Sequence, residues 1–181
     1  KEFKVAIDAL AVIVHPANPV AQITMDDLAR IFTGEVTNWK DLGGKDQEIL
    51  VLSRERNSGT HVYFLEEVLR KGNAKGPEEF APRTLMLPSS QAIVHEVAGS
   101  ETAIGYLGIG YVNDQVRPLA VAKKPEGPFV PPAVDTALDE SYALSRPLLM
   151  YTAKEPEGVI QAFLDYVLSD AGQDAVLAMD F

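Results

Sequence analysis

Three features of the chain predict an α/β fold. Short β-branched and aliphatic runs alternate with stretches of helical period, Gly- and Pro-rich turns separate them, and no repeat or low-complexity block breaks the alternation. Strands that alternate with helices pair in a mainly parallel sheet, because each helix carries the chain back across a face. The segment around which the rest is organised is 48–69. It reads as a buried strand (Ile49 to Leu52), a polar loop (Ser53 to Thr60), and an amphipathic helix in which Val62, Leu65, Val68 and Leu69 form the apolar stripe.

The elements follow in order. Val5 to Val14 is rich in Val, Ile, Ala and Leu and stops at His15-Pro16, which predicts a long, largely buried strand. Thr24 can cap a helix over 25–33 with Asp26 and Asp27 in its first turn, Leu28, Ile31 and Phe32 on one face and Gly34 as the stop. Asn38 to Leu42 reads as one helical turn closed by Gly43-Gly44, with Trp39 as a packing anchor. Residues 72–82 form a surface excursion and 84–87 a strand; Ser89 and Ser90 cap a helix over 91–98 carrying Ile93, Val94 and Val97. Ala103 to Val112 alternates glycine with bulky residues and is expected to be a tightly packed strand and turn, and 116–122 another strand. Four prolines make 123–132 an exposed crossover. A strand over 148–152, a helix over 158–168 with Ile160, Phe163, Leu164 and Val167 on one stripe, and a helix over 171–179 complete the chain.

Composition narrows the function classes. The 181 residues suffice for one substantial core or two small lobes, and no apolar run is long enough to span a bilayer. A net charge of −10 argues against nucleic acid or an anionic membrane as partner, since every phosphate contact there needs a cation. Cysteine is absent, so disulfides, thiolate metal sites and a cysteine nucleophile are excluded, and the compartment stays undecided. His15, His61 and His95 have no metal-ligand spacing, so neither a metal nor a cofactor is expected.

Within the loop, Arg54, Ser58, Gly59 and Thr60 make an oxyanion cradle. A helix start offers N–H groups without intrahelical partners and a positive dipole end, Gly59 permits close approach, and Arg54 supplies a planar fork suited to a tetrahedral oxyanion. The bland alternative is a capped helix beside a surface arginine. Net charge does not forbid an anion, because long-range repulsion is screened within about 10 Å while oriented amides act at contact distance. Glu55 is expected to pair with Arg54 or Arg56.

Taken together, Ala6 to Pro16 with Asn18-Pro19-Val20, Ile31 to Gly34 with Asn38-Trp39, Ser53-Arg54 with Ser58-Gly59-Thr60, Ala103 to Tyr106, Leu144 to Leu148, and Leu168-Ser169 with Gly172-Gln173 resemble the PstS-like phosphate-binding proteins of bacterial ABC importers. Their order makes the resemblance specific, and it covers nearly the whole chain. It implies a periplasmic-binding-protein-like fold of type II, a non-catalytic receptor for inorganic phosphate, ABC permease subunits as partners, and a periplasmic or extracytoplasmic location, with a lipid anchor before processing as an option. Arg54, Ser58, Gly59 and Thr60 match the family's oxyanion loop. Many relatives carry arginine directly after the threonine, where this chain has His61, so His61 is the fifth expected contact and its contribution would depend on pH.

Against the family pattern, the chain starts after the first-lobe segment that supplies another phosphate loop, and Ala178 to Phe181 lacks the usual glycine-tyrosine-proline ending. The expected division is a hinge strand and first-lobe remnant at 1–20, a second α/β lobe carrying the anion loop at 21–139, and a return strand with C-terminal helices of the first lobe at 140–181. Apolar surface left by the absent segment is expected to attract a companion chain or a second copy. Two alternatives stand beside the receptor: a sensory or interaction domain that kept the fold without the ligand, and a serine hydrolase using Ser58 or Thr60 with His61 as base. The hydrolase lacks a nucleophile elbow.

Overall fold

The structure, a computed structural model, describes residues 1–178. Its first element sets the frame. Strand β1 (Glu2–Val14) buries Leu10, Val12 and Val14 in one apolar cluster and Ala11 and Ile13 in another, as a strand covered on both faces must. Strand β2 (Gln22–Thr24) leads into helix α1 (Met25–Thr33). The Thr24 side chain accepts the Asp27 N–H, and Gly34 closes the helix at φ 87°, a left-handed conformation that favours glycine. A 3₁₀ turn, Trp39–Leu42, buries Trp39, whose indole N–H donates to the Thr102 carbonyl at 2.9 Å.

Strand β3 (Leu50–Arg54) is followed by helix α2 (Gly59–Phe64), which runs on as a π-helical segment, Leu65–Leu69. Strand β4 (Leu85–Leu87), helix α3 (Ser90–Gly99) and strand β5 (Ala103–Gly108) come next, and a 3₁₀ turn, Ile109–Tyr111, follows β5 as the strand and turn expected there. The tight packing expected of Gly105 is present: a Cβ there would come within 2.7 Å of Ile93 Cγ2 on α3. The single strand expected over 116–122 is two, β6 (Arg117–Pro118) and β7 (Ala120–Ala122). The first pairs with β1 and the second with β2, so the chain switches sheets at Leu119. Helix α4 (Val134–Leu138), strand β8 (Ser145–Tyr151) and helices α5 (Val159–Val167) and α6 (Asp170–Leu177) finish the fold. The Met179 end expected for the last helix lies outside the described residues.

The main sheet is mixed. Strands β4, β3 and β5 are parallel, as the strand–helix alternation predicts, whereas β1 is antiparallel to β5, β6 and β8. Helices α1 and α2 pack on one face around Phe32, Phe64 and Tyr106, and α3 covers the other with Ile93 and Val97. On the α5 stripe only Leu164 is buried, while Ile160 and Phe163 are 55% and 53% exposed, because no described element covers that face.

Candidate anion site

Arg54 is the last residue of β3, so the loop after it lies at the carboxyl edge of the parallel strands, the position where open α/β sheets bind ligands. The loop is folded by its own backbone, Ser58 N–H donating to the Glu55 carbonyl at 2.9 Å and Val62 N–H to the Ser58 carbonyl at 3.1 Å. That second bond leaves the N–H groups of Gly59, Thr60 and His61 as the open first turn of α2. Ser58 occupies the N-cap with an extended backbone, but its hydroxyl does not cap the helix. Gly59 is exposed, and a Cβ there would meet nothing within 4 Å, so the side of the loop at Gly59 is open.

Arg54 is held from the neighbouring strand-to-helix turn. Its Nη1 donates to Ser90 Oγ at 3.1 Å and its Nη2 to the Pro88 carbonyl at 3.2 Å, while Nε is buried without a partner. The guanidinium is thus half-buried and fixed beside the start of α3, whose Ser89 hydroxyl accepts the Ala92 N–H. Glu55 is exposed and forms no ion pair with Arg54 or Arg56 among the described residues, so no carboxylate neutralises the loop in the way its sequence allowed.

His61 is turned away from the loop's open side. It is 4% exposed, its ring stacks on Phe80 at 4.6 Å between centroids, and its Nδ1 lies 3.2 Å from Ser53 Oγ. Ser53 Oγ is in turn 2.6 Å from Tyr106 Oη. The Ser53 hydroxyl also reaches the Arg54 carbonyl at 3.3 Å, so its one proton is shared among these partners and the His61 tautomer follows from which of them it serves. Burial opposes the charged forms, lowering the His61 pKa and raising that of Tyr106. The physical reason for the inward turn is helical phase. In the first turn His61 and Phe64 take the buried face and Val62 is 42% exposed, whereas Val68 and Leu69 of the expected stripe are buried, the phase changing where α2 passes into its π-helical segment. His61 can therefore offer the loop its backbone N–H, while its ring serves the core. A hydrolase would need that ring beside Ser58 or Thr60; the hydroxyl it meets belongs to Ser53, which is fully buried.

Two contributors escaped the sequence reading. One is the Pro88–Ser90 turn that fixes Arg54. The other is Arg146, which stands directly across from Asp8 in the β1–β8 ladder. Its Nε and Nη2 donate to Asp8 Oδ2 at 2.9 and 2.7 Å, its Nη1 donates to the Gly59 carbonyl at 3.3 Å, and its guanidinium carbon lies 4.7 Å from the Tyr63 ring centroid. The available signal was a charged residue, Asp8, inside a strand expected to be apolar; Arg146 lies just ahead of the strand expected over 148–152.

The model of the PBP superfamily domain matches residues 1–171. The chain belongs to the PBP superfamily. It is 36% identical to a phosphate-binding protein PstS of Pseudomonas aeruginosa over 189 residues, covering 96% of this chain and 57% of that protein. It is 34% identical to the Bacillus subtilis phosphate-binding protein PstS over 179 residues, covering 97% of this chain and 55% of that one. The chain therefore spans little more than half the length of these relatives. Among solved structures it resembles an ABC-type phosphate transport receptor from Vibrio cholerae, with a TM-score of 0.84 at 30% identity, covering 98% of this chain and 70% of the other. It also resembles a putative phosphate ABC transporter substrate-binding protein from Clostridium perfringens with bound phosphate, with a TM-score of 0.78 at 37% identity, covering 98% and 69%. The α/β fold expected from the sequence is thus that of the superfamily.

Proposed function

We propose that this chain is the anion-loop half of a phosphate receptor serving an ABC-type importer, a binding protein with no catalytic step. The observation that carries the reading is the loop itself. Three open amides, the Ser58 and Thr60 side chains, and an arginine already fixed by Ser90 and the Pro88 carbonyl stand at one strand edge. Amides and hydroxyls donate to an oxyanion and the guanidinium adds charge, which together outweigh at contact range the repulsion of a net charge of −10. The names of the PstS relatives and the phosphate bound to the Clostridium perfringens protein favour phosphate over other oxyanions.

The same reading gives the chain its partners and place. Residues 21–139 act as the second lobe, with 1–20 and 140–181 contributing to the hinge and the first, and the receptor works extracytoplasmically, delivering phosphate to membrane permease subunits. No helix among the described residues is long and apolar enough to cross a membrane. Further polypeptide of first-lobe type closes over the ligand and over α5, where Val159, Ile160, Phe163 and Tyr166 are exposed. One wall alone holds phosphate weakly, since closure is what removes water from the site. A crystal grown with phosphate tests the loop. Anion density within hydrogen-bonding distance of Ser58 Oγ and the amides of Gly59 and Thr60 is expected, and an empty loop at saturating phosphate would favour a sensory or interaction domain.

A further inference from the structure

Asp8 is a carboxylate in a strand otherwise built of Ala, Val, Ile and Leu between positions 5 and 14, and it is only 6% exposed. A charge so placed needs a partner, and the ladder register supplies one directly opposite in Arg146. The pair does more than neutralise itself. The Nε–Nη2 edge of the guanidinium is spent on Asp8 Oδ2, which aims Nη1 at the Gly59 carbonyl, while the face of the group lies over Tyr63. Tyr63 in turn donates its hydroxyl to the Ser145 carbonyl at 3.0 Å, so α2 and β8 are tied twice. Burial pushes the Tyr63 pKa up to about 12, so that hydroxyl stays a donor at neutral pH.

We infer that Arg146, aimed by Asp8, is a positioning residue of the anion loop. It fixes the first turn of α2 against the β1–β8 ladder and turns the positive end of the Asp8–Arg146 dipole towards Ser58 to Thr60. The inference rests on the proposed anion function and goes beyond it by placing part of the affinity on another strand pair. Arg146 takes over the role of second cation that its sequence position gave to His61, whose ring is turned into the core. Only a planar fork can meet a carboxylate, a carbonyl and a ring at once, so lysine should replace Arg146 incompletely.

Calorimetric titration of the polypeptide as encoded, with inorganic phosphate, tests this. R146Q should weaken binding about tenfold, with the deficit shrinking as salt is raised, and R146K should weaken it by less. A purely structural role would lower thermal stability while leaving the affinity of the folded protein unchanged. If folded R146Q binds phosphate within about twofold of wild type, the inference is overturned and the anion site stands. If R146Q does not fold, R146K decides, and wild-type affinity in that variant overturns the inference. Absence of phosphate binding in the wild type, or unchanged binding in R54A, removes the anion function itself and this inference with it.

Discussion

Replacing Ser90 by alanine removes one of the two hydrogen bonds that hold the Arg54 guanidinium and leaves the rest of the site in place. The α3 cap survives, because the residue whose hydroxyl accepts the Ala92 N–H is Ser89. An unrestrained arginine loses up to about 2 kcal/mol of rotamer freedom when it is ordered on a ligand. In the native protein Ser90 Oγ at 3.1 Å and the Pro88 carbonyl at 3.2 Å have already imposed that order. Losing one of two anchors therefore transfers about 1 kcal/mol to the binding step, which is about a fivefold rise in Kd. The assay is isothermal titration of wild type and S90A with phosphate, alongside thermal unfolding of both without ligand. A Kd unchanged within error, with a Tm lowered by several degrees, would show that Ser90 stabilises the fold and does not preorganise Arg54.

Two further predictions concern the core and the exposed face. The His61 imidazolium is disfavoured by burial, so its folded pKa lies below the ordinary value of about 6.5, and the unfolded state takes up the proton first as pH falls. This contribution to stability is complete above about pH 6.5 and is lost as pH drops below it. Denaturant unfolding at several pH values should show that loss in wild type and a smaller one in His61→Gln; identical slopes would mean that His61 does not titrate between the two states. Sedimentation of the 181-residue chain by itself should show self-association through the α5 face, where Val159 is 86% exposed, and a strictly monomeric profile would argue that this face needs no cover.

Local signals carried much of the fold. Thr24 and Gly34 delimit α1 because a side-chain acceptor and a left-handed stop are contained within a few residues of sequence. Ser89 starts α3 for the same reason, and β1 announces its two-sided burial by its unbroken apolar run. The loop from Arg54 to Thr60 was legible as a unit, since a strand end, hydroxyls and a helix start are neighbours in the chain. What sequence could not supply was phase and distance. The expected α2 stripe holds at Val68 and Leu69 but not at Val62, where His61 and Phe64 face inward instead, Phe64 stacked parallel on Tyr106 at 3.8 Å. The partners of Arg54 lie 34 and 36 residues away and those of Arg146 lie 87 and 138 away, separations at which no periodicity speaks. The exposed α5 face marks another limit: amphipathicity shows that a stripe wants cover, and says nothing about which polypeptide provides it.

The loop from Arg54 to Thr60 stands or falls as an anion site on one comparison, the phosphate titration of wild type against Arg54→Ala at fixed salt and pH. The Arg54 guanidinium is the side-chain cation of this loop that hydrogen bonds to the neighbouring turn hold in place. Wild type should bind phosphate with measurable heat, and Arg54→Ala should lose at least about two orders of magnitude in affinity, as expected when a fixed charged donor is removed from an anion. Equal affinity in the two proteins would contradict the assignment of the anion to this loop.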